Sequence, residues 1–208
     1  MMLQSNKFIA GLTGGMGCGK STVLKMLAEL NWLCLDADKI CHQIYYEEKD
    51  YLAFQFSERW NDYFLDETGQ LARHKVARIV FGSKSELEWL HGILHPMIFN
   101  RAAACIENSS ECFVVFDIPL LFEVGWEKYF NLNIAVWAPE EKQLQMLIDR
   151  GHSLEDIRLR LSCQLPAAEK LERADYGLIN AASIDDLRKQ CINLDKKIRV
   201  DYDRRKKE

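Results

Sequence analysis

Apolar residues follow two rhythms along this chain. Short unbroken runs closed by a polar or glycine residue alternate with stretches where apolar positions return every third or fourth residue. The first pattern marks buried strands and the second amphipathic helices. Lys7–Thr13 (KFIAGLT) reads as a strand, and Gly14–Lys20 as a glycine-rich turn. From Ser21 the positions Val23, Leu24, Leu27 and Leu30 share one helical face, and Asn31 can end that helix. Trp32–Leu35 is a second strand, closed by Asp36. A strand, loop, helix, strand order is a βαβ opening, so the pattern predicts a parallel sheet.

The chain from Asp38 to about Asn108 has a mostly helical pattern, with Val76, Ile79 and Val80 on one face and Leu87, Leu90 and Leu94 on another. His95-Pro96 is expected to break that run, because the residue before a proline is pushed from helical geometry. Phe113–Phe116, ending at Asp117, reads as a buried strand, and Asn133–Trp137 as another. Pro139 opens a helix through Arg150, Leu154–Gln164 reads as a charged helix, Tyr176–Ile179 as a last strand and Ile184–Tyr202 as a closing helix. The aromatic residues Tyr51, Phe54, Phe56, Trp60, Tyr63 and Phe64 are expected to form the core of the helical stretch.

Composition narrows the classes. The 208 residues are 48% hydrophobic and 28% charged, with a net charge of −4. That is ordinary globular composition, and it argues against a broadly basic nucleic-acid surface. No apolar run approaches the roughly 18 residues of a membrane helix. The N-terminal MMLQSNKFIAG lacks the apolar region and cleavage site of a secretion signal. Seven cysteines stand at 18, 34, 41, 105, 112, 163 and 191, with no CxxC pair. Reduced thiols in the cytoplasm are the expectation.

The strongest chemical signal is Gly14-Gly15-Met16-Gly17-Cys18-Gly19-Lys20-Ser21-Thr22, which fits G-x-x-x-x-G-K-[ST] between a predicted strand and helix. Glycines let successive backbone N–H groups turn toward a phosphate, and the helix start adds its positive dipole end. Lys20 reaches the β- and γ-phosphates and Ser21 offers a hydroxyl to Mg2+. The Cys18 thiol needs no role, since the loop binds through its backbone. No N-K-x-D guanine reader is present. Asp36-Ala37-Asp38 follows the second strand, where a small kinase places an acidic residue facing the acceptor hydroxyl; the same pair also suits a helix N-cap. Another small-molecule kinase, and a non-catalytic P-loop switch, are the competing readings at this point.

Several motifs together resemble the dephospho-CoA kinase family. GLTGGMGCGKST (Gly11–Thr22) is similar to its nucleotide loop and DADKICH (Asp36–His42) to its acceptor-side motif. Gly69-x-Leu-x-Arg73, Val80-Phe81 and Leu94-His95-Pro96 resemble its helical region, and DIPLLFE (Asp117–Glu123) its most distinctive string. Gln143-Leu144, Arg150, Arg160, Gln164 and Lys170 follow its lid pattern, and Ala174-Asp175 with Ile179-Asn180 its closing strand. The likeness spans roughly residues 7–200. It departs at Cys18, where serine is usual, at Met146, where a basic residue is usual, at Gly151 in place of aspartate and at Ala182 in place of glycine.

The resemblance implies an α/β P-loop kinase with a five-stranded parallel sheet. Residues 7–203 would form one domain, with a core of 7–40, 111–139 and 169–203, a helical acceptor-binding insertion at 41–110 and a lid at 140–168. It implies phosphoryl transfer from ATP to the ribose 3'-hydroxyl of 3'-dephospho-CoA, with Mg2+ as cofactor. Asp38 would orient or deprotonate that hydroxyl, with Asp36 as its rival. Arg150 and Arg160 would neutralise transferring charge when the lid closes, and Lys20 would act with Asp38 and Arg150 in catalysis. ATP would lie on residues 14–22 with Arg150 and Asn180. The acceptor would meet Asp36, Asp38, His42, His95, Pro119, Leu120, Leu121, Glu123 and Arg160, and Asp117 would hold the metal through water. For His95 a packed helical histidine is the alternative, and for Arg150 and Arg160 a solvated helix face. A monomer or small homo-oligomer without nucleic-acid or membrane partners is expected.

Overall fold

The structure is a computed structural model that describes residues 6–151, 153–154, 157–158, 161 and 164–205. The described chain divides into two compact units. One is helical and runs from Ala37 to Glu107; the other holds the sheet and comprises the described residues before and after it.

The sheet unit contains β1 (Phe8–Gly14), β2 (Leu33–Asp36), β3 (Phe113–Asp117), β4 (Leu132–Trp137) and β5 (Tyr176–Ile179). Their order is β2-β3-β1-β4-β5 and every pairing is parallel, as the sequence pattern predicts. All seven residues of β1 and all five of β3 are buried, which suits strands covered by helices on both faces. α1 (Lys20–Glu29) packs on α8 (Ile184–Arg205), while α6 (Glu140–Ile148) and α7 (Ala167–Arg173) follow β4, with α7 packed on β4 and β1. The core beneath α1 and α8 gathers Phe8, Leu12, Val23, Leu27, Trp32, Val115, Ile134, Leu178 and Leu194. Each such side chain contributes roughly 1.5–3 kcal/mol through burial. At one end Trp32 donates its indole N–H to Asp195 at 2.7 Å, and Arg199 holds the same carboxylate at 2.7 Å, so the buried charge is paired.

Turn chemistry places the central strands. Asn31 has a φ of 62°, the left-handed residue that ends the first helix and turns the chain into β2. β2 does not pair with β1; β3 comes between them. The chain therefore leaves β1 on one side for β2 and later reaches β4 on the other. In an open α/β sheet such a reversal opens a crevice at the carboxyl ends of the strands.

The helical unit contains α2 (Ala37–Glu47), α3 (Lys49–Trp60), α4 (Arg73–Phe81) and α5 (Lys84–Glu107). α5 corrects one expectation: it continues through Pro96 without a break. Proline removes one backbone hydrogen bond and strains the preceding turn, at about 3 kcal/mol. The stripe Leu90, Leu94, Ile98, Phe99, Ala102 and Ile106, buried on both sides of Pro96, offsets that loss. The aromatic group is core only in part. Phe56 and Phe64 are fully buried and pack edge-on at 5.7 Å, with Trp60 beside them. Tyr51, Phe54 and Tyr63 are exposed, because they sit on the other face of α3 and on the loop after it. Among the described residues no helix is long and apolar enough to cross a membrane.

Candidate active site

The phosphate loop lies between β1 and α1, at the crevice the strand order creates. Its glycines are there because nothing larger fits. Gly14 has a φ of 145°, and a Cβ on it would stand 2.3 Å from the Val136 carbonyl oxygen of β4. Gly17, at φ 79°, would meet the Gln143 carbonyl oxygen at 2.6 Å. The loop is thus pressed between β4 and α6, and its path is set by backbone contacts.

Gly19 occupies the cap position of α1 with a φ of 98° and no side chain to cap the helix. No acidic residue stands in the first turn. The opening N–H groups and the positive end of the helix are left for an anion. Lys20 Nζ donates to the carbonyl oxygens of Gly14 at 2.9 Å and Gly15 at 3.2 Å, so the ammonium is folded back over the loop. Ser21 is exposed and Thr22 half-buried on the first turn; Met16 is half-buried at the loop tip. Cys18 is fully buried; its N–H donates to Gly15 at 3.3 Å, and burial pushes its thiol pKa up, with Lys20 partly offsetting this.

Asn180, just past β5, is buried and braces the loop from behind. Its Nδ2 donates to the Cys18 carbonyl oxygen at 3.0 Å, and its Oδ1 accepts from Lys142 at 2.8 Å. Lys142 also donates to the Ala182 carbonyl oxygen at 3.1 Å, tying α6 to the turn after β5. Lys142 was not singled out by the sequence reading, since a lysine early in a helix has no distinguishing pattern.

The carboxyl ends of β2 and β3 bring two acids together. Asp36 and Asp117 are register partners, and Asp117 is also opposite Leu12 of β1. Asp38 lies in the first turn of α2, two residues beyond Asp36, in the helical unit. In the same unit His42 Nδ1 accepts from Arg73 Nη1 at 2.6 Å, and that guanidinium lies 5.0 Å over the Tyr45 ring. His95 stacks on His91 with ring centroids 4.4 Å apart. Burial, reinforced by His91, pushes the His95 pKa down to about 4.

The segment after β3 is held from both sides. Ile118 N donates to the Leu12 carbonyl oxygen at 2.8 Å, and Thr13 Oγ1 to the Pro119 carbonyl oxygen at 3.1 Å. Pro119 and Leu120 are half-buried, whereas Leu121 is fully buried and supports them from within. Glu123 is engaged by Lys170 at 2.8 Å and by the Leu165 N–H at 2.8 Å. Arg150 is exposed just beyond α6. The next residue, Gly151, has a φ of 82° and its N–H returns to Ile148 at 2.8 Å. Glycine there closes the helix in a left-handed conformation that an aspartate would adopt only under strain. Arg160 lies outside the described residues, as do parts of the 154–164 stretch.

A glycine-lined phosphate loop on the central strand, an uncapped helix start, a lysine across the loop and acids closing the neighbouring strands define a P-loop phosphotransferase. Comparison with known proteins narrows this. The dephospho-CoA kinase family model matches residues 8–186. A dephospho-CoA kinase of Helicobacter pylori is 37% identical over 185 residues, covering 86% of this chain and 91% of the relative. One from Aquifex aeolicus is 37% identical over 182 residues, covering 86% and 92%. The dephospho-CoA kinase structure from Campylobacter jejuni is 30% identical with a TM-score of 0.64, covering 91% of this chain and 96% of that one. A Thermus thermophilus crystal structure superposes with a TM-score of 0.81 at 31% identity, covering 92% and 98%. The chain belongs to the dephospho-CoA kinase family.

Proposed function

We propose that this protein phosphorylates the ribose 3'-hydroxyl of 3'-dephospho-CoA with ATP, giving coenzyme A and ADP, the last step of coenzyme A assembly. The observation that carries the reading is the open N-terminus of α1 behind a Gly14–Lys20 loop, within a chain that matches this kinase family over residues 8–186.

The phosphates of ATP would sit on the N–H groups of residues 14–22, and Lys20 would exchange its contacts to Gly14 and Gly15 for the β- and γ-phosphates. Ser21 in the first turn of α1 and Asp117 at the end of β3 are hard oxygen donors that would suit a Mg2+ ion arriving with the nucleotide, Asp117 acting through water. Bound there, the ion would neutralise phosphate charge. Asp38 would orient the acceptor hydroxyl and take its proton late, since a loose transition state needs positioning more than a strong base. Asp36 would hold the acceptor side of the metal water or the backbone turn. Arg150 would supply positive charge to the transferring group, as would Arg160, which lies outside the described residues. Asn180 would act on ATP by fixing the loop, as its amide holds the Cys18 carbonyl. Pro119 and Leu120, backed by Leu121, would form an apolar wall for the acceptor, with Glu123 fixing the wall's far end; His42 and His95 are the acceptor-binding residues that the family likeness implies. A cytoplasmic setting, where ATP is abundant and thiols stay reduced, goes with this reading.

The test is ADP release measured with ATP alone and with a panel of acceptors: dephospho-CoA, a nucleoside monophosphate and small alcohols. Release that depends on dephospho-CoA is the expected result. Release that is equal without acceptor, or faster with another acceptor, overturns the reading.

A further inference from the structure

Among the described residues Lys170 is the only lysine or arginine that is buried, and its exposure is 0%. It comes from the short helix α7, which packs on β4 and β1. Two oxygens meet its ammonium: the Pro119 carbonyl at 2.5 Å and Glu123 Oε1 at 2.8 Å. Each has a second donor. Pro119 O also accepts from Thr13, the fully buried residue directly before the phosphate loop. Glu123 Oε1 also accepts from the Leu165 N–H. The ammonium therefore joins α7 to the segment after β3, and the shared Pro119 carbonyl joins both to Thr13 in β1. Burial pushes the Lys170 pKa down and Glu123 pulls it back up; Lys20 and Cys18 also act on it, which places the charge within electrostatic range of the phosphate loop.

Stability alone is a poor reason for this arrangement. Replacing a buried ion pair by apolar residues of similar volume is often neutral or stabilising. What an apolar pair could not do is hold the Pro119 carbonyl. That carbonyl starts the Pro119–Glu123 segment, the proposed acceptor wall, and lies against Thr13 at the root of the loop.

We propose that Lys170 is a positioning residue for phosphoryl transfer: its ammonium, through Pro119 and Glu123, sets the distance between the acceptor wall and the phosphate loop. This rests on the reading of Pro119–Glu123 as the acceptor's wall. Lys170 touches neither substrate; it acts through the backbone it fixes. Misplacement by about 1 Å is enough to lower a transfer rate by roughly a hundredfold.

The experiment compares wild type, Lys170→Met, Glu123→Gln and the double variant by kcat, both KM values and thermal unfolding. Lys170→Met should lower kcat by about tenfold to a hundredfold while the KM for ATP moves less than about threefold. It should also lower Tm, because the half-buried Glu123 carboxylate loses its ion-pair partner and keeps only the Leu165 N–H. The double variant should recover Tm while its kcat stays at the level of Lys170→Met, because the Pro119 carbonyl still lacks its Lys170 donor and is held by Thr13 alone. A kcat that recovers together with Tm, or a Lys170→Met kcat within about twofold of wild type, makes Lys170 structural only and overturns the proposal. So does a Glu123→Gln variant that itself lowers kcat by more than about twofold together with a double variant whose loss is the product of the two single losses, since Glu123 and Lys170 then act separately. If Lys170→Met does not fold, Thr13→Val removes the other donor to Pro119 O at constant shape. It should lower kcat by roughly threefold to tenfold, and an unchanged kcat overturns the proposal equally. Wild-type turnover of dephospho-CoA is the control: its absence refutes the functional reading, whereas its presence with indifferent variants refutes only the role of Lys170.

Discussion

Gly19→Ala should destabilise the protein far more than the same change at Gly125, although both glycines have positive φ. At Gly125 the φ is 69° and an added Cβ meets nothing within 4 Å. Only the left-handed strain of an L-residue is felt there, about 1–2 kcal/mol. At Gly19 the φ is 98°, so the same strain applies, but the Cβ would also stand 2.6 Å from Asn180 Nδ2. Ordinary contact is about 3.5 Å, so Asn180 must retreat by nearly 1 Å. Its 3.0 Å bond to the Cys18 carbonyl would then be lost in a buried setting. That adds about 1–3 kcal/mol, for a total near 2–5 kcal/mol. A double-mutant cycle isolates the clash. With Asn180→Ala already in place, Gly19→Ala should cost only the strain, leaving a coupling of about 1–3 kcal/mol. Urea unfolding without nucleotide reads these values directly. Gly19→Ala within about 0.5 kcal/mol of Gly125→Ala, or a cycle that is additive, would refute the claim that Asn180 braces the loop.

Lys20→Ala should leave stability nearly unchanged, since it loses only two bonds to loop carbonyls, and should lower kcat by roughly 10²–10³; near-normal turnover contradicts its role at the phosphates. Asp38→Asn should lower kcat by roughly 10²–10⁴, with Asp36→Asn milder; the reverse order would transfer the role to Asp36. His95 is held neutral, with its pKa lowered to about 4, so the unfolded chain binds its proton first as acid is added. The stability this gives is present above the unfolded value of about 6.5 and is lost as pH falls toward 4. Replacing His95 by Gln should flatten the stability profile in that window, and an unchanged slope in urea titrations would count against the buried neutral histidine.

The sheet unit was legible because its signals are local. Phe113–Asp117 and Tyr176–Ile179 are short apolar strings bounded by polar residues, and Gly14–Thr22 announces a phosphate loop by spacing alone. Pro96 was misleading for a physical reason: a local steric preference is outweighed by a buried stripe extending on both sides of it. The exposed Tyr51, Phe54 and Tyr63 show the limit of counting aromatics without their phase on α3. The family likeness pointed to Asn180 and Lys170 as residues, but not to the contacts they make. Asn180 reaches Cys18 across 162 positions, and Lys170 reaches Pro119 across 51, contacts that no periodicity encodes. Lys170 stood within the family's lid pattern, but a lysine in a charged stretch reads as solvated until the fold buries it.

The central claim concerns one hydroxyl. Incubating the protein with ATP, Mg2+ and dephospho-CoA, then locating the new phosphorus in the product by phosphorus–proton NMR, tests it directly. The account predicts one phosphoryl group per ADP released, coupled to the ribose 3'-proton, and a product that enzymes requiring coenzyme A accept. A phosphoryl group at another position, or ADP formed with dephospho-CoA recovered unchanged, would contradict it.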